Sequence, residues 1–314
     1  MAHQSYHHLT DCVSELNLSL TLPAGQVFGW ELLEGEWVGL VGKVVYWLRQ
    51  VGTGGVSFRY ASGTDCDISI DAARVQLRDF FQLDVDLPAH VCEWSRTDPS
   101  FRRLIAGFEG LRICRQEPFE CLVSFIVSAN NNIKRISQNL KSIRKKYGTF
   151  VCESGGAAYH AFPIDLTAAT VDELRELGLG YRAPYLVKTA QLLAVPGAME
   201  SLSSLVNEMD ADVARNFLLQ FPGVGRKVAD CVLLYSLNFP NIAPVDTHML
   251  QVAQKLFSKS IKKDKAMHGN VQQLMEARFG RTAGWAHCFL FAADLKDLQN
   301  SIDPVHSKRV RVRE

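Results

Sequence analysis

A lysine and an aspartate form the pair of side chains best suited to covalent chemistry. Lys227 follows a Pro-Gly-Val-Gly turn at 222–225, and Asp246 lies within Pro-Val-Asp-Thr-His at 244–248. A neutral lysine amine forms Schiff bases with electrophilic carbons, and a carboxylate stabilises a cation beside it. Neutralising an ordinary lysine at pH 7 costs roughly 4–5 kcal/mol. We therefore expect a desolvated site at a positive helix end to lower the pKa of Lys227.

Each of these residues also has a simpler role. Apolar runs follow both positions, so each is expected at the start of a helix. Asp246 is a good N-cap, a role compatible with facing a developing cation on a sugar. Lys227 would otherwise lie on a solvated helix face.

The turn before Lys227 separates two apolar runs and predicts a helical hairpin. Free backbone N–H groups at the start of its second helix bind anions, phosphate above all. Gly223 and Gly225 lack side chains, which lets a nucleic-acid backbone come close. A Gly-x-Gly turn between helices also occurs as a plain tight corner, so the turn alone leaves both interpretations open.

The elements that must position these residues change along the chain. Alternating leucines over 16–22 predict a half-buried strand, ended by a turn that contains Gly25. Further strands are predicted at 37–41, 44–51 and 56–60. From residue 71 the apolar period is helical, and Pro118 opens a strongly apolar helix. That helix ends at three asparagines (130–132), whose amides cap a helix or read a base edge.

Composition describes an ordinary globular protein. The 314 residues are 47% hydrophobic with a net charge of +1, so binding to nucleic acid would rest on a local patch. Eight scattered cysteines without Cys-x-x-Cys predict reduced thiols and no zinc or iron–sulfur cluster. Without a secretory or mitochondrial signal, the nucleus is the predicted location, and the mitochondrion stays an alternative. We interpret the basic tail at 308–313 as a solvated end, although it could be a weak nuclear address.

Further segments carry a resemblance to a known family. They are Leu-Pro-Ala-Gly-Gln (22–26), Ser-Ala-Asn-Asn-Asn-Ile (128–133), Leu-Gly-Leu-Gly-Tyr-Arg (177–182) and Ala-Gly-Trp-Ala (283–286). With the hairpin, the chain resembles the helix-hairpin-helix superfamily of DNA glycosylases, and within it the eukaryotic-type 8-oxoguanine DNA glycosylase/lyase. The resemblance runs from residue 16 to about residue 298.

The resemblance implies an α+β fold in which a small N-terminal antiparallel sheet domain is packed on a mostly helical helix-hairpin-helix glycosylase body. We expect the β domain with its trailing helices at 1–115 and the helical domain at 116–314. The implied partner is double-stranded DNA containing oxidised guanine, with no membrane and a monomeric state. The chemistry would need no cofactor or metal, and a structural cation at the hairpin stays open.

The resemblance also implies roles for residues in a base pocket. Lys227 would attack C1′ of a flipped nucleotide, and Asp246 would stabilise the sugar cation before β-elimination at the 3′ phosphate. The Gly25 carbonyl would accept the N7–H that 8-oxoguanine has and guanine lacks. Cys231 and Phe291 would pack against the two faces of the base.

Further implied residues contact the DNA around the pocket. Asn130, Arg135 and Arg182 would meet the cytosine left behind by base flipping. Tyr181 would wedge into the stacking gap, and His248 would contact a phosphate.

Two positions depart from the family pattern. His287 stands where a glutamine usually reads the Watson–Crick edge, and one ring nitrogen cannot donate and accept as an amide does. Gly29 replaces what is often an arginine. A lyase-type glycosylase for another oxidised base therefore stays an alternative. A non-catalytic helix-hairpin-helix DNA-binding protein is a further alternative, against which Lys227 and Asp246 together argue.

Overall fold

The computed structural model describes residues 5–63, 66–257, 263–264, 266–295 and 298–299. Near the N-terminus, five antiparallel strands form one sheet in the order β1-β5-β4-β3-β2. The strands are β1 (His7–His8), β2 (Glu31–Leu33), β3 (Glu36–Val41), β4 (Val44–Gln50) and β5 (Val56–Ser62). The three strands predicted after residue 36 are confirmed, and the basic tail lies outside the described residues.

The strand predicted at 16–22 is wrong. These residues contain a one-turn helix, α1 (Leu18–Thr21), which begins because the Asn17 side chain accepts a hydrogen bond from the Leu20 amide. Leu16 and Leu18 pack into the sheet core, whereas Leu20 packs into the helical core. Since the segment is enclosed by both cores, its alternating leucines do not mark one face of a strand.

A mostly helical body follows the sheet, and two short strands lie within it. The hairpin of β6 (Phe150–Ser154) and β7 (Ala157–His160) was not predicted. Helices α2 to α14 have these bounds in chain order: Ile70–Phe80, Leu87–Thr97, Pro99–Leu104, Pro118–Ser128, Ile133–Tyr147, Val171–Glu176, Ala183–Leu193, Ala198–Ser204, Ala211–Leu218, Arg226–Tyr235, Thr247–Leu256, Met267–Phe279 and Ala283–Asp294. Within the described ranges, no helix is long and apolar enough to span a bilayer.

Helix α5 lies at the centre of the helical core. Pro118 fixes its first turn, as predicted, and the residues from Cys121 to Val127 are buried without interruption. A helix that is apolar on every side must be enclosed by other elements. Helices α6, α8, α9 and α11 supply that enclosure.

A buried glutamine connects the sheet domain to the segment before α5. The Gln26 amide donates to the carbonyls of Thr21 (3.1 Å) and Arg112 (2.7 Å), and it accepts from the Cys114 amide at 2.8 Å. An amide buried this deeply is costly unless its bonds are made, so the network fixes the local backbone. The neighbouring Gly25 is thereby held at the junction.

Candidate active site

Lys227 lies in the first turn of α11, directly after the hairpin turn. Gly225 is the N-cap and supplies no side-chain hydrogen bond, so the helix terminus keeps free backbone N–H groups. The lysine is half-buried, and its Nζ atom lies 5.3 Å from the centroid of the Phe125 ring. Cys231 follows one helical turn later and interacts with the amine.

The pKa of the Lys227 amine is shifted in the opposite direction to the one expected. Desolvation lowers this pKa, but Cys231 and the Asp246 carboxylate together raise it above its ordinary value. Burial raises the pKa of the Cys231 thiol to about 11, so the sulfur stays protonated at neutral pH. The carboxylate is therefore the charge that holds Lys227 as an ammonium in the DNA-free protein.

Asp246 caps helix α12, as the sequence predicts. Its Oδ1 atom accepts hydrogen bonds from the backbone amides of His248 (3.0 Å) and Met249 (2.8 Å). Among the described residues, nothing donates a hydrogen bond to Oδ2. One oxygen thus anchors the carboxylate, and the other is free to face Lys227 or a ligand.

Gly25, Phe291 and His287 lie together on one side of the lysine. A Cβ atom on Gly25 would lie 3.7 Å from Phe291 Cε1, so the two residues are in contact distance across the domain junction. The Phe291 ring stacks on His287, with centroids 6.0 Å apart and an interplanar angle of 20°. His287 also interacts electrostatically with Asp246 and Lys227, so all five residues belong to one cluster.

His287 is buried in its neutral form. Only 4% of the residue is exposed, and its Nδ1 atom has no hydrogen-bond partner among the described residues. Desolvation lowers its pKa to about 4, despite the opposing effects of Asp246 and of a hydrogen bond to Pro244. At neutral pH the imidazole therefore offers one N–H donor and one acceptor.

His248 lies at the edge of the same cluster. Its Nε2 atom is 2.9 Å from the Asp294 carboxylate, an ion-pair distance without the alignment of a hydrogen bond. Its ring meets the Phe291 ring edge-on at 5.4 Å. About a third of the His248 side chain is exposed, although its Nε2 atom is buried against Asp294.

A second cluster surrounds the turn after α5. Asn130 is exposed and has φ of +48°, a conformation that asparagine tolerates better than most residues. The buried Arg182 guanidinium donates to the carbonyls of Ala129 and Asn130, the shortest of these bonds being 2.6 Å. Arg182 therefore fixes the backbone of this turn. Arg135, which is exposed, donates to the Gly178 carbonyl at 3.2 Å.

Tyr181 connects this cluster to the hairpin. Its side chain is half exposed, and its hydroxyl donates to Ala129 O at 3.0 Å. Its ring meets Tyr185 edge-on at 6.2 Å. A Cβ atom on Gly223 would lie only 2.7 Å from the Tyr185 ring, and Gly223 has φ of +81°. Glycine is therefore required in this turn for both space and conformation.

The two clusters meet at Ile133, whose Cδ1 atom lies 3.4 Å from the Cβ position of Gly25. The structure thus brings every sequence-predicted site residue into one of two adjoining clusters. Sequence reasoning missed Phe125 beside the lysine, Tyr185 against the hairpin and Asp294 beside His248. Each of them lies on a helix, where an aromatic or acidic residue gives no local signal of function.

Gly29, which departs from the family pattern, lies beside the side chain of Arg144. A Cβ atom at this position would lie 2.6 Å from a guanidinium nitrogen of Arg144, which also pairs with Glu120. Arg144 is buried, so a larger side chain at position 29 would have to displace it. The Arg144 guanidinium therefore occupies the space beside the Gly29 backbone.

Family models match the chain in two consecutive parts. The model described as "8-oxoguanine DNA glycosylase, N-terminal domain" matches residues 9–122. The model described as "HhH-GPD superfamily base excision DNA repair protein" matches residues 123–277.

Individual relatives resemble nearly the whole chain. It is 34% identical over 290 residues to the N-glycosylase/DNA lyase OGG1 of Arabidopsis thaliana, covering 90% of this chain and 78% of the relative. It is 33% identical to an N-glycosylase/DNA lyase of Saccharomyces cerevisiae, covering 90% and 84%. Its fold is similar to that of the Clostridium acetobutylicum 8-oxoguanine glycosylase/lyase, solved with double-stranded DNA containing cytosine opposite to 8-oxoG. That match has a TM-score of 0.78 at 28% identity and covers 93% of this chain and 98% of the other.

Proposed function

The chain belongs to the 8-oxoguanine N-glycosylase/DNA lyase family, and from this premise we propose that it excises 8-oxoguanine paired with cytosine through a Lys227 Schiff base. Its enzyme class is that of a bifunctional DNA glycosylase with abasic-site lyase activity. The observation that carries the residue assignment is the position of Lys227 at an uncapped helix start, within electrostatic range of the Asp246 carboxylate and of His287, which stacks on Phe291.

Lys227 is the nucleophile in this proposal. The glycosidic bond breaks with its electron pair on the base, and the Lys227 nitrogen forms a bond to C1′. The amine starts as an ammonium, because Asp246 helps to raise its pKa, so it must lose a proton before it attacks. That proton balances the negative charge that the departing base carries. The C1′–O4′ bond of this adduct then breaks, and the nitrogen passes a proton to O4′, so the sugar ring opens and an iminium forms. The iminium acidifies C2′, whose proton loss expels the 3′ phosphate oxygen and cuts the strand.

Asp246 stabilises the positive charge that develops on the sugar. Its Oδ1 atom is held by two helix amides, which keeps the carboxylate rigid as bonds change at C1′. A rigid charge requires no reorganisation during the reaction, so it acts more strongly than a mobile one. The same geometry keeps the lysine close to the sugar.

The base pocket lies between Gly25, Cys231 and Phe291, with His287 at its buried end. The Gly25 carbonyl would accept N7–H of the lesion, and the sulfur and the ring would sandwich the base. His287 stacks on Phe291 in the DNA-free protein, so the base must enter beside or between these rings. A neutral imidazole supplies one donor or acceptor to the base edge.

The second cluster binds the DNA around the cytosine that loses its partner, on the strand opposite the lesion. Tyr181 fills the stacking gap, while Asn130, Arg135 and Arg182 face the unpaired cytosine. Arg182 acts largely through the backbone of the 129–130 turn, because its guanidinium is committed to those carbonyls. The Val224 amide donates to Phe221 O at 3.1 Å, so the phosphate-binding N–H groups are those that follow Gly225, together with His248.

Borohydride trapping tests this proposal. A duplex with 8-oxoguanine opposite cytosine should give a covalent adduct with the unmutated protein and none with Lys227→Gln. The matched control is Lys188→Gln, a lysine on α8 outside both clusters. An adduct of equal yield with Lys227→Gln would place the nucleophile elsewhere. Release of a different oxidised base faster than 8-oxoguanine would favour the alternative in which the protein acts on that base, which the histidine at position 287 leaves open.

We also propose the nucleus as the site of action. The family membership makes the protein a DNA repair enzyme, and relatives from a plant and a yeast carry the same enzyme name. Imaging of the tagged full chain beside a mitochondrial marker would test the location. Signal confined to mitochondria would contradict it.

A further inference from the structure

A buried row of rings and sulfur lies behind the Lys227 amine and takes no part in the chemistry described above. The Phe125 ring, 5.3 Å from Lys227 Nζ, stacks on the Tyr235 ring with centroids 5.5 Å apart and an angle of 10°. The Tyr235 hydroxyl lies 3.6 Å from the sulfur of Cys288. The row therefore connects the helices α5, α11 and α14.

The position of the Phe125 ring is fixed from several sides. Phe28 of the sheet domain packs edge-on against it, at 5.9 Å and 71°. The end of α11 is tied to the segment before α5, because the Gln116 amide donates to Tyr235 O at 2.9 Å and the Ser236 hydroxyl donates to Gln116 O at 2.7 Å. The ring thus has little freedom to rotate or withdraw.

Lys227 and Tyr235 lie eight residues apart, so both point from the same face of α11. The Phe125 ring contacts both of them from α5. A lysine stem has four rotatable bonds and reaches many positions unless something holds its amine. The face of an aromatic ring attracts an ammonium and offers such a hold.

We propose that Phe125 and Tyr235 are positioning residues for the reaction: Phe125 holds the Lys227 amine with its ring face, and Tyr235 supports that ring from behind. This inference rests on the proposed role of Lys227 as nucleophile. It predicts that the two rings determine the position of the Lys227 amine before a flipped nucleotide enters.

The contact has a signature in the titration of the amine. The titratable groups that face the amine are Cys231 on its own helix, Asp246 at the start of α12 and His287 on α14. From α5, the group in contact with it is the uncharged Phe125 ring. A ring face favours the ammonium, so its removal should lower the pKa of the amine. Removal should also slow the attack by the neutral amine, because the amine is no longer held.

The experiment compares variants by single-turnover borohydride trapping at neutral pH on a duplex with one abasic site. Phe125→Leu should lower the trapping rate roughly tenfold or more. Phe119→Leu is the matched control, since it removes a buried ring from the same helix, away from the lysine. Tyr235→Phe keeps the stack and should behave like the unmutated protein, whereas Tyr235→Leu should resemble Phe125→Leu.

Equal trapping rates for Phe125→Leu and Phe119→Leu would overturn the proposal. A readout without turnover gives an independent test. The lysines are reductively methylated with ¹³C, and the Lys227 resonance, identified by its loss in Lys227→Gln, is titrated in the DNA-free protein. The midpoint should be lower in Phe125→Leu than in Phe119→Leu, and equal midpoints would refute the idea. If the unmutated protein formed no covalent adduct with DNA, the proposed function itself would be refuted.

Discussion

Gly25→Ala should separate recognition of the base from cleavage of the strand. Gly25 has φ of +76°, in the left-handed region, where a residue with a Cβ atom costs about 1–2 kcal/mol. The added methyl would lie 3.4 Å from Ile133 Cδ1 and 3.7 Å from Phe291 Cε1, which are ordinary contact distances. The DNA-free fold should therefore accept the change, with Tm lowered by about 2–6 °C from backbone strain.

The effect on base excision should be far larger than the effect on stability. The methyl occupies space between Gly25 and Phe291, where the flipped base would lie, and it alters the backbone that carries the recognising carbonyl. A displacement of about 1 Å in a reacting group costs about 100-fold in rate. We therefore expect release of 8-oxoguanine to fall at least ~100-fold. Cleavage at a preformed abasic site should persist, because no base has to enter the pocket.

Gly156→Ala is the matched control for strain. Gly156 has φ of +74°, lies in the turn between β6 and β7, and has nothing within 4 Å of its Cβ position. Single-turnover release of 8-oxoguanine and nicking of an abasic duplex are measured for both variants. If Gly25→Ala released the base as fast as Gly156→Ala, the placement of the base beside Gly25 would be wrong.

Three further changes test other parts of the structure. Native His287 has a pKa of about 4, so between about pH 6.5 and 4 the unfolded state binds a proton that the folded state does not. The free energy of unfolding should therefore fall by about 3 kcal/mol as the pH drops through this window. His287→Gln should remove that loss in urea titrations at several pH values. Tyr181→Ala should lower excision from duplex DNA roughly 10- to 100-fold in single-turnover assays while changing stability by under about 1 kcal/mol, because the ring is half exposed. Asp230→Asn should cost about 3–5 kcal/mol in urea unfolding, because it leaves the buried Arg215 without the carboxylate that its Nε atom contacts at 2.6 Å.

Each of these expectations has a contrary result. A His287→Gln protein with the same acid sensitivity as the unmutated one would assign that sensitivity to another group. Full excision activity in Tyr181→Ala would remove the wedge role. An Asp230→Asn protein of unchanged stability would show that Arg215 finds another partner, such as Asp212, with which it also pairs.

Local signals were sufficient for several elements that position the site. Pro118 opens α5, Asn132 caps α6 and Asp246 caps α12, as their residue types predict. These predictions succeed because a cap or a first-turn proline acts on backbone groups within three residues of itself. The same reasoning failed at 16–22, where burial between two cores erased the difference between the faces of the segment.

Site electrostatics depend on neighbours that are distant in the sequence. The dipole at the start of α11 predicts a lowered pKa for Lys227, yet the Asp246 carboxylate helps to raise it because the fold brings the start of α12 near the amine. His287 is neutral because α14 is buried beside the start of α12, and its own sequence neighbours do not determine that.

The sequence by itself determined which residues could act: the amine, the carboxylate, the glycines of the turns and the family to which they belong. Those features depend on residue type and short spacing, which are present in the chain before it folds. Only the tertiary structure decided the direction in which the lysine titrates, the ring on which its amine rests and the contact between Gly25 and Phe291. Such properties arise from through-space contacts between α5, α11, α14 and the sheet domain, and spacing along a chain does not encode them locally.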